Sequence, residues 1–126
     1  MIELSVFWSS IPLVYKNSVF VDDRHKIYSI DKYSGAINWV FEETLDQIGI
    51  PAIWNDTLVV SCDKDNVSTH SLFAIDISSG KTKWKRDFDF QLRNPIILNE
   101  SIYFVNHRRE IHSVDIKSGR TNWKYD

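Results

Sequence analysis

The sequence predicts an all-β fold built from three copies of a four-stranded antiparallel unit. Two observations carry this prediction. The pattern Asp-x-x-Ser-Gly-x-x-x-Trp occurs three times within 126 residues. A second pattern, in which a proline opens an apolar run that is broken by a polar pair, precedes each copy. Repeats of about 40 residues are typical of folds in which one supersecondary unit recurs and stacks on its neighbours.

The Asp-x-x-Ser-Gly-x-x-x-Trp pattern predicts a β-hairpin. An alternating apolar run precedes each copy, which is typical of a half-buried strand. The Asp ends this strand, and its carboxylate can accept hydrogen bonds from the N–H groups of a turn. The Gly supplies a positive φ, and the chain returns in a strand that carries the Trp. The three Asp residues are therefore expected to be turn caps and not acid–base catalysts. The fixed residues of the pattern are Asp31, Gly35, Trp39, Asp76, Gly80, Trp84, Asp115, Gly119 and Trp123.

The proline pattern predicts the other two strands of each unit. Pro12, Pro51 and Pro95 each open a short strand, where the missing N–H is tolerated. A polar pair then turns the chain into a second apolar strand. The units extend over about 11–43, 49–89 and 94–126, and residues 1–10 lie outside them as a terminal strand or the remnant of a preceding unit, with Trp8 as its anchor.

The second unit is longer than the other two. Its extra residues fall between Ser61 and Leu72. We expect Cys62–His70 to form a protruding loop that can be shortened without loss of the fold, because loop length affects stability only weakly.

The order of these features resembles the repeats of the pyrroloquinoline-quinone-like β-propellers. Such repeats occur in quinoprotein alcohol dehydrogenases, in the outer-membrane assembly lipoprotein of the bacterial β-barrel machinery, and in sensor and scaffold domains. The resemblance covers about residues 11–126 and implies that each unit is a propeller blade. It also implies that Trp39, Trp84 and Trp123 are structural, because the Trp of the outermost strand docks between neighbouring blades in this family. Enzymes and non-enzymes share the repeat, so it does not define a function.

A quinone cofactor is not expected on these three blades alone. In the dehydrogenases that the chain resembles, the cofactor is held by a vicinal disulfide, a calcium ion and a Trp platform. This chain has one cysteine, Cys62, and short loops. The quinone and calcium are therefore expected only in a longer protein.

Composition excludes some classes of partner. The net charge of −2 gives no electrostatic reason to expect nucleic acid. The first residues carry no basic segment and no long apolar run, so neither a signal peptide nor direct membrane insertion is predicted. The chain as written is expected in the cytoplasm, and outside it if the chain is a piece of an exported precursor.

One rim of the blades is predicted to carry most of the charge. In an up-and-down blade, the loop between the second and third strands lies on the same rim as the connection to the next blade, and loops on a rigid scaffold commonly carry binding. The carboxylates at Asp63 and Asp65 have a spacing that a hard cation can use. The histidines at 25, 70 and 107 share loop positions, and the two adjacent arginines could bind an anion. We expect solvated polar loops at all three places rather than a metal or anion site. The candidate interaction residues are Arg24, His25, Asp63, Asp65, His107, Arg108 and Arg109.

The sequence favours a non-enzymatic scaffold that binds a protein or peptide. The alternatives are a segment of a quinoprotein dehydrogenase and the sensor domain of a receptor or kinase. Closed propellers have four to eight blades, so three blades form an incomplete ring. The chain is therefore predicted either to be part of a larger propeller or to complete a ring by self-association, with apolar surface exposed on its two end blades.

Overall fold

The fold is known from a computed structural model. The model describes residues 12–23, 25–42, 47–49, 51–63, 70–92 and 95–126. Within these ranges all regular secondary structure is β, arranged as three antiparallel sheets in chain order. The predicted all-β class and the three successive blades are confirmed. The N-terminal strand and its anchor Trp8 lie outside the described residues.

Blade one is a four-stranded meander. Each strand pairs with the one before it in the chain, which is the simplest topology for four short strands joined by turns. Its strands are β1 Leu13–Tyr15, β2 Ser18–Asp22, β3 Lys26–Asp31 and β4 Ile37–Glu42.

Blade two has the predicted antiparallel arrangement, but its first strand is split into two short segments. Two short segments, β5 and β6, pair with opposite ends of the long strand β7 on either side of Pro51, which has no N–H to donate to the ladder. The predicted four-stranded antiparallel blade is confirmed, with its first strand divided into two short segments. Its strands are β5 Gln47–Ile48, β6 Ala52–Trp54, β7 Thr57–Asp63, β8 His70–Asp76 and β9 Thr82–Phe88.

The loop predicted over Cys62–His70 of blade two is shorter than that range, because residues at both of its ends belong to strands. Cys62 and Asp63 belong to β7 and pair with Ser71 and His70 of β8. Cys62 is buried at 2% exposure, because the extra length extends the hairpin before the chain turns. Residues 64–69 lie outside the described residues.

Blade three repeats the meander of blade one. Its sheet order follows the chain, and a single isolated bridge, Leu92 with Asn106, ties the preceding connection to it. Its strands are β10 Ile96–Leu98, β11 Ser101–Val105, β12 Ile111–Asp115 and β13 Thr121–Tyr125.

The polar pairs form the two-residue turns that join the first two strands of each blade. Lys16, Asn55 and Asn99 have φ of 53°, 50° and 57°. Positive φ is the feature of hairpin turns whose twist matches that of the flanking strands. The sequence predicted the turns but not this backbone conformation at a lysine.

The Asp-Gly turns have the predicted geometry. The Asp31 carboxylate accepts hydrogen bonds from the N–H groups of Tyr33 and Ser34, both at 2.9 Å. The N–H bond of Ser34, followed by that of Tyr33, lowers the pKa of Asp31 from its usual value. Gly35, Gly80 and Gly119 have φ of 76°, 75° and 77°, as a tight turn of this kind requires.

Two apolar clusters lie between the sheets. The first joins blades one and two, with Phe20, Phe41 and Phe73 at its centre. Phe41 and Phe73 meet edge to face with ring centroids 5.2 Å apart. The second cluster joins blades two and three through Leu72, Phe88 and other buried side chains. Successive side chains of β7 point to opposite faces of the sheet, so Leu58 lies in the first cluster and Val59 in the second. Blade two therefore forms part of both clusters.

A Trp–Gly contact links each blade to the next. Trp39 of blade one lies directly over Gly80 of blade two, where an added Cβ would be 2.6 Å from the indole ring. Trp39 Nε1 donates a hydrogen bond to the Ile77 carbonyl at 2.6 Å. This pairing of an indole face with a glycine and an indole N–H with a carbonyl satisfies both the apolar and the polar part of the side chain.

The same contact occurs between blades two and three. Trp84 lies over Gly119, where an added Cβ would be 2.7 Å from the ring, and its Nε1 donates to the Ile116 carbonyl at 2.8 Å. Arg86, two residues further on, donates to the Gly119 carbonyl at 3.0 Å. Trp123 of blade three is 48% exposed and contacts Tyr103 of its own blade.

Candidate functional site: the charged rim

The described candidate interaction residues, His25, Asp63, His107, Arg108 and Arg109, belong to a group of segments that we call the charged rim. It consists of the β2–β3 turn, the ends of β7 and β8, the β11–β12 loop and the connection after β9. Two contacts join the segments of blades two and three: Arg108 Nη2 lies 3.6 Å from Asp89 Oδ2, and Gln91 Nε2 donates to Asp63 Oδ2 at 3.4 Å. The meander topology places these segments together because alternate loops of a blade share a rim.

In blade one, Asp23 organises the rim. Its Oδ1 accepts hydrogen bonds from the N–H groups of His25 and Lys26, at 3.1 and 2.9 Å. The Tyr28 hydroxyl donates to Oδ2 at 3.4 Å. His25 is exposed, and Arg24 lies outside the described residues. The sequence reasoning did not single out Asp23, although an Asp that follows an apolar strand is a common turn residue.

In blade two, the rim residue Asp63 is a strand residue rather than a loop residue. Its Oδ1 lies 2.6 Å from His70 Nδ1 across the β7–β8 ladder, and the two side chains are 25% and 18% exposed. Asp63 and His70 form the last residue pair of the β7–β8 ladder. Their contact therefore satisfies two polar side chains at the end of a mostly apolar hairpin. Asp65 lies outside the described residues.

In blade three, the buried Asn106 shapes the loop that carries the basic residues. Its Oδ1 accepts hydrogen bonds from the N–H groups of Arg108 and Glu110 at 2.9 and 3.0 Å. The carbonyl of Asn106 accepts a hydrogen bond from the N–H of Arg109, which has a φ of 65°. Asn106 is 2% exposed, whereas His107, Arg108 and Arg109 are exposed. The loop therefore holds three exposed basic side chains on a fixed backbone.

A charged network supports this loop from beneath. Glu110 accepts hydrogen bonds from Lys124 Nζ at 2.8 Å and Asn106 Nδ2 at 2.6 Å. The bond from Lys124, followed by that from Asn106, lowers the pKa of Glu110 to about 2. Glu110 is therefore ionised in neutral solution, and its charge is engaged within the loop.

His112 is packed beneath the loop. It is 5% exposed and stacks on Phe104 with ring centroids 5.0 Å apart and an interplanar angle of 9°. Burial lowers its pKa, against the opposing effect of Glu110 3.7 Å away. The imidazole therefore serves as a neutral aromatic core residue.

The opposite rim carries a polar cleft that the sequence reasoning missed. It has a volume of about 530 Å³ and lies between the hairpin turns of blades one and two. The Lys16–Asp56 ion pair, at 3.4 Å, spans it. Its lining residues are Tyr15, Lys16, Asn17, Ser18, Asp31, Asn38, Asp56, Ile77 and Ser78.

Among the described residues, no three His, Cys, Asp or Glu side chains are grouped as metal ligands would be. No helix in that same part of the chain is long and apolar enough to cross a membrane.

Comparison with known proteins agrees with the repeat and the blades. The family model described as outer membrane protein assembly factor BamB matches residues 46–125. This is more than half of the chain, and the chain therefore belongs to that family of quinoprotein-type β-propeller repeats. No curated protein sequence matches the chain.

Solved structures share the fold at low identity. BamB from Moraxella catarrhalis is 23% identical with a TM-score of 0.66, over 86% of this chain and 33% of that one. The quinohemoprotein alcohol dehydrogenase ADHIIG from Pseudomonas putida HK5 is 16% identical with a TM-score of 0.75, over 98% and 21%. The computationally designed Ika4 protein is 15% identical with a TM-score of 0.78, over 98% and 77%. This chain spans a third or less of the two natural proteins.

Proposed function

We propose that this chain is a non-enzymatic propeller scaffold that binds a protein or peptide on its charged rim, as part of a larger propeller. The observation that carries the proposal is the β11–β12 loop, where a buried Asn106 fixes the backbone beneath the exposed His107, Arg108 and Arg109. Exposed side chains on a preorganised loop lose little conformational freedom when a partner binds.

Charge distribution supports a polar partner with acidic groups facing blade three. Arg108 is 49% exposed, and its carboxylate neighbour Asp89 lies 3.6 Å away and is itself 77% exposed. Such an exposed pair is weak and exchanges readily. A carboxylate on the partner can therefore replace Asp89 and accept two hydrogen bonds from the guanidinium. The family description names an assembly factor, which also favours a protein partner over a small substrate.

A site-specific photo-crosslinker tests the proposal. A benzophenone side chain at His107 is expected to yield protein adducts in the cells from which the chain comes. The same group at Lys81, an exposed turn residue on the opposite rim, is the matched control and is expected to give none. The double change of Arg108 and Arg109 to Glu should abolish the adducts, whereas Lys117→Glu should not. Equal adducts at both rims, or adducts unaffected by the reversal of charge, would contradict the proposal.

The alternative is a segment of a quinoprotein dehydrogenase, which the fold shared with quinohemoprotein alcohol dehydrogenase favours. Titration of the chain with pyrroloquinoline quinone and Ca²⁺ separates the two. A stoichiometric change in quinone absorbance would favour the dehydrogenase, and an unchanged spectrum is expected for the scaffold.

A further inference from the structure

The loop that carries His107, Arg108 and Arg109 lies over a buried imidazole with an unsatisfied nitrogen. His112 is 5% exposed, and its Nε2 is buried without a hydrogen-bond partner among the described residues. The carboxylate oxygen that faces it, Glu110 Oε1, is 3.7 Å away, which is beyond hydrogen-bond distance. Most buried polar atoms in native proteins are hydrogen-bonded, so this nitrogen carries a cost in stability directly beneath the charged rim.

The Glu110 oxygen that faces His112 also holds the loop in place. Asn106 Nδ2 donates to Glu110 Oε1 at 2.6 Å, and Asn106 Oδ1 accepts hydrogen bonds from the N–H groups of Arg108 and Glu110 at 2.9 and 3.0 Å. The side chain of Asn106 therefore joins the carboxylate of Glu110 to the backbone that positions the arginines. We call this arrangement the closed loop. A movement of Glu110 Oε1 toward His112 lengthens the bond to Asn106 and loosens that backbone.

A charged imidazole does not fit beneath the closed loop. Both ring nitrogens of a charged histidine are donors, and the acceptor in front of Nε2 is Glu110 Oε1. The ring is otherwise surrounded by Phe88, Phe90 and Phe104, with ring centroids 6.4, 5.1 and 5.0 Å away. The added proton therefore requires Glu110 either to come closer or to admit water, and both changes weaken its bond to Asn106.

The surroundings of His112 favour the neutral ring while the loop is closed. Burial is the largest effect and lowers the pKa of His112, Glu110 opposes it, and Lys124 and Arg86 lower the pKa further. An open loop returns the ring to water and to its ordinary pKa of about 6.5, so a falling pH favours the open loop. The charged groups that face the imidazole are Glu110 of the loop, Lys124 of β13 and Arg86 of β9, and Arg108, paired with Asp89, lies beyond Phe90.

We propose, on the basis of the scaffold function above, that His112 makes the charged rim of blade three sensitive to acid. Uptake of a proton by His112 breaks the bond between Glu110 and Asn106 and frees the loop that positions Arg108 and Arg109. An acidic partner is then bound near neutral pH and released in mild acid, because a loop that is no longer fixed loses more conformational freedom on binding.

Hydrogen exchange of individual backbone amides tests this coupling without any partner. In the wild type, the protection of the Arg108 and Glu110 amides is expected to fall about tenfold between pH 7.5 and 5.5, because a group with a pKa of about 6.5 then titrates in the open loop alone. Protection is compared after correction for the intrinsic dependence of exchange on pH. His112→Phe keeps an aromatic ring, as blade two does with Phe73, and should abolish the fall.

The Asp-Gly turn of blade one supplies the matched control. Its Tyr33 and Ser34 amides donate to the Asp31 carboxylate, whose lowered pKa keeps it ionised over this range of pH. Their protection should therefore be the same at both pH values. His107→Gln removes the exposed imidazole of the β11–β12 loop and should leave the fall in protection at Arg108 intact.

Two outcomes would overturn the coupling: constant protection of Arg108 and Glu110 in the wild type, or a fall that survives in His112→Phe. The photo-crosslinker at His107 tests the release of the partner. In cell extract its adducts should decrease from pH 7.5 to pH 5.5, and His112→Phe should keep them at both. Equal adducts in the wild type at the two pH values would overturn the release. A lack of adducts at both contradicts the scaffold function, whereas the exchange measurement still decides the coupling.

Discussion

Blade two and the two end blades have the same strands but very different burial. Six successive residues of β7, Thr57–Cys62, are buried, so both faces of this strand are covered. In β2 of blade one, only Phe20 is buried, and in β11 of blade three burial alternates between Ile102 and Phe104. Both faces of the central blade are therefore covered, whereas blades one and three each have partly exposed residues on these strands.

This difference shows that burial in a repeat protein depends on position in the array. Phe41 and Tyr125 occupy equivalent positions in blades one and three, yet their exposures are 4% and 69%. The neighbouring blade accounts for the change, because stability in such arrays comes largely from contacts between adjacent repeats. Equivalent substitutions in the three blades should therefore have unequal effects in the isolated chain.

The largest contrast is expected between two tryptophans. Trp84→Ala should lower the free energy of unfolding by about 3–5 kcal/mol, because it empties the space over Gly119 and removes the bond to the Ile116 carbonyl. Trp123→Ala should cost about 1 kcal/mol or less in the monomer, because the side chain is 48% exposed and packs on Tyr103 of its own blade. Urea unfolding at a concentration low enough to keep the chain monomeric measures both. Equal costs under these conditions would contradict the comparison.

A second contrast uses the glycines. Gly35→Ala and Gly80→Ala introduce the same backbone strain, about 1–2 kcal/mol for an L-residue in the left-handed region. Only Gly80→Ala also forces a methyl group against Trp39, which adds roughly 1–3 kcal/mol of overpacking. The difference in unfolding free energy between the two variants therefore isolates the Trp–Gly contact. Identical values in dilute solution would mean that Trp39 moves aside without cost.

The sequence predicted the blades and their turns but not the contacts between blades. Strand alternation and the Asp-x-x-Ser-Gly spacing depend on neighbouring residues, so they can be read from the chain. The position of Trp39 over Gly80 depends on residues 41 apart, and the resemblance implied that the Trp docks between blades without naming the residues that it meets. The split strand at Pro51 was missed because the proline was read as a strand opener only. At the rim, Asn106 and Asp23 were missed because both act by accepting hydrogen bonds from backbone N–H groups. The spacing of charged residues in the sequence does not reveal that role.

Blade three has an imidazole at a core position. His112 stands where blade two has Phe73, and burial lowers its pKa. The unfolded chain therefore binds a proton near the ordinary value of about 6.5, while the folded chain does not. Stability should be complete above that pH and fall as the pH drops below it. Urea unfolding between pH 7 and 5 should show this slope in the wild type.

Two variants test whether His112 causes this dependence of stability on pH. His112→Phe should remove it, because the ring stacking on Phe104 is kept and the titrating group is lost. His107→Gln, at an exposed position, should leave it unchanged. A further loss of stability below about pH 4.5 belongs to Glu110, whose pKa is lowered to about 2, and Glu110→Gln should weaken that loss. A slope that survives in His112→Phe would place the proton uptake elsewhere.

The smallest effect on stability is expected from the ion pair that joins blades one and two on the rim opposite the charged rim. Lys16 and Asp56 lie 3.4 Å apart, but their side chains are 69% and 67% exposed. Asp56 raises the pKa of Lys16, first through its hydrogen bond and then through its charge. Exposed pairs of this kind are offset by hydration and side-chain entropy, and salt screens them. Lys16→Ala should therefore leave the melting temperature unchanged at physiological salt, whereas Trp39→Ala at the same junction should lower it clearly. A loss with Lys16→Ala comparable to that with Trp39→Ala would show that charge, and not the Trp–Gly contact, holds these two blades together.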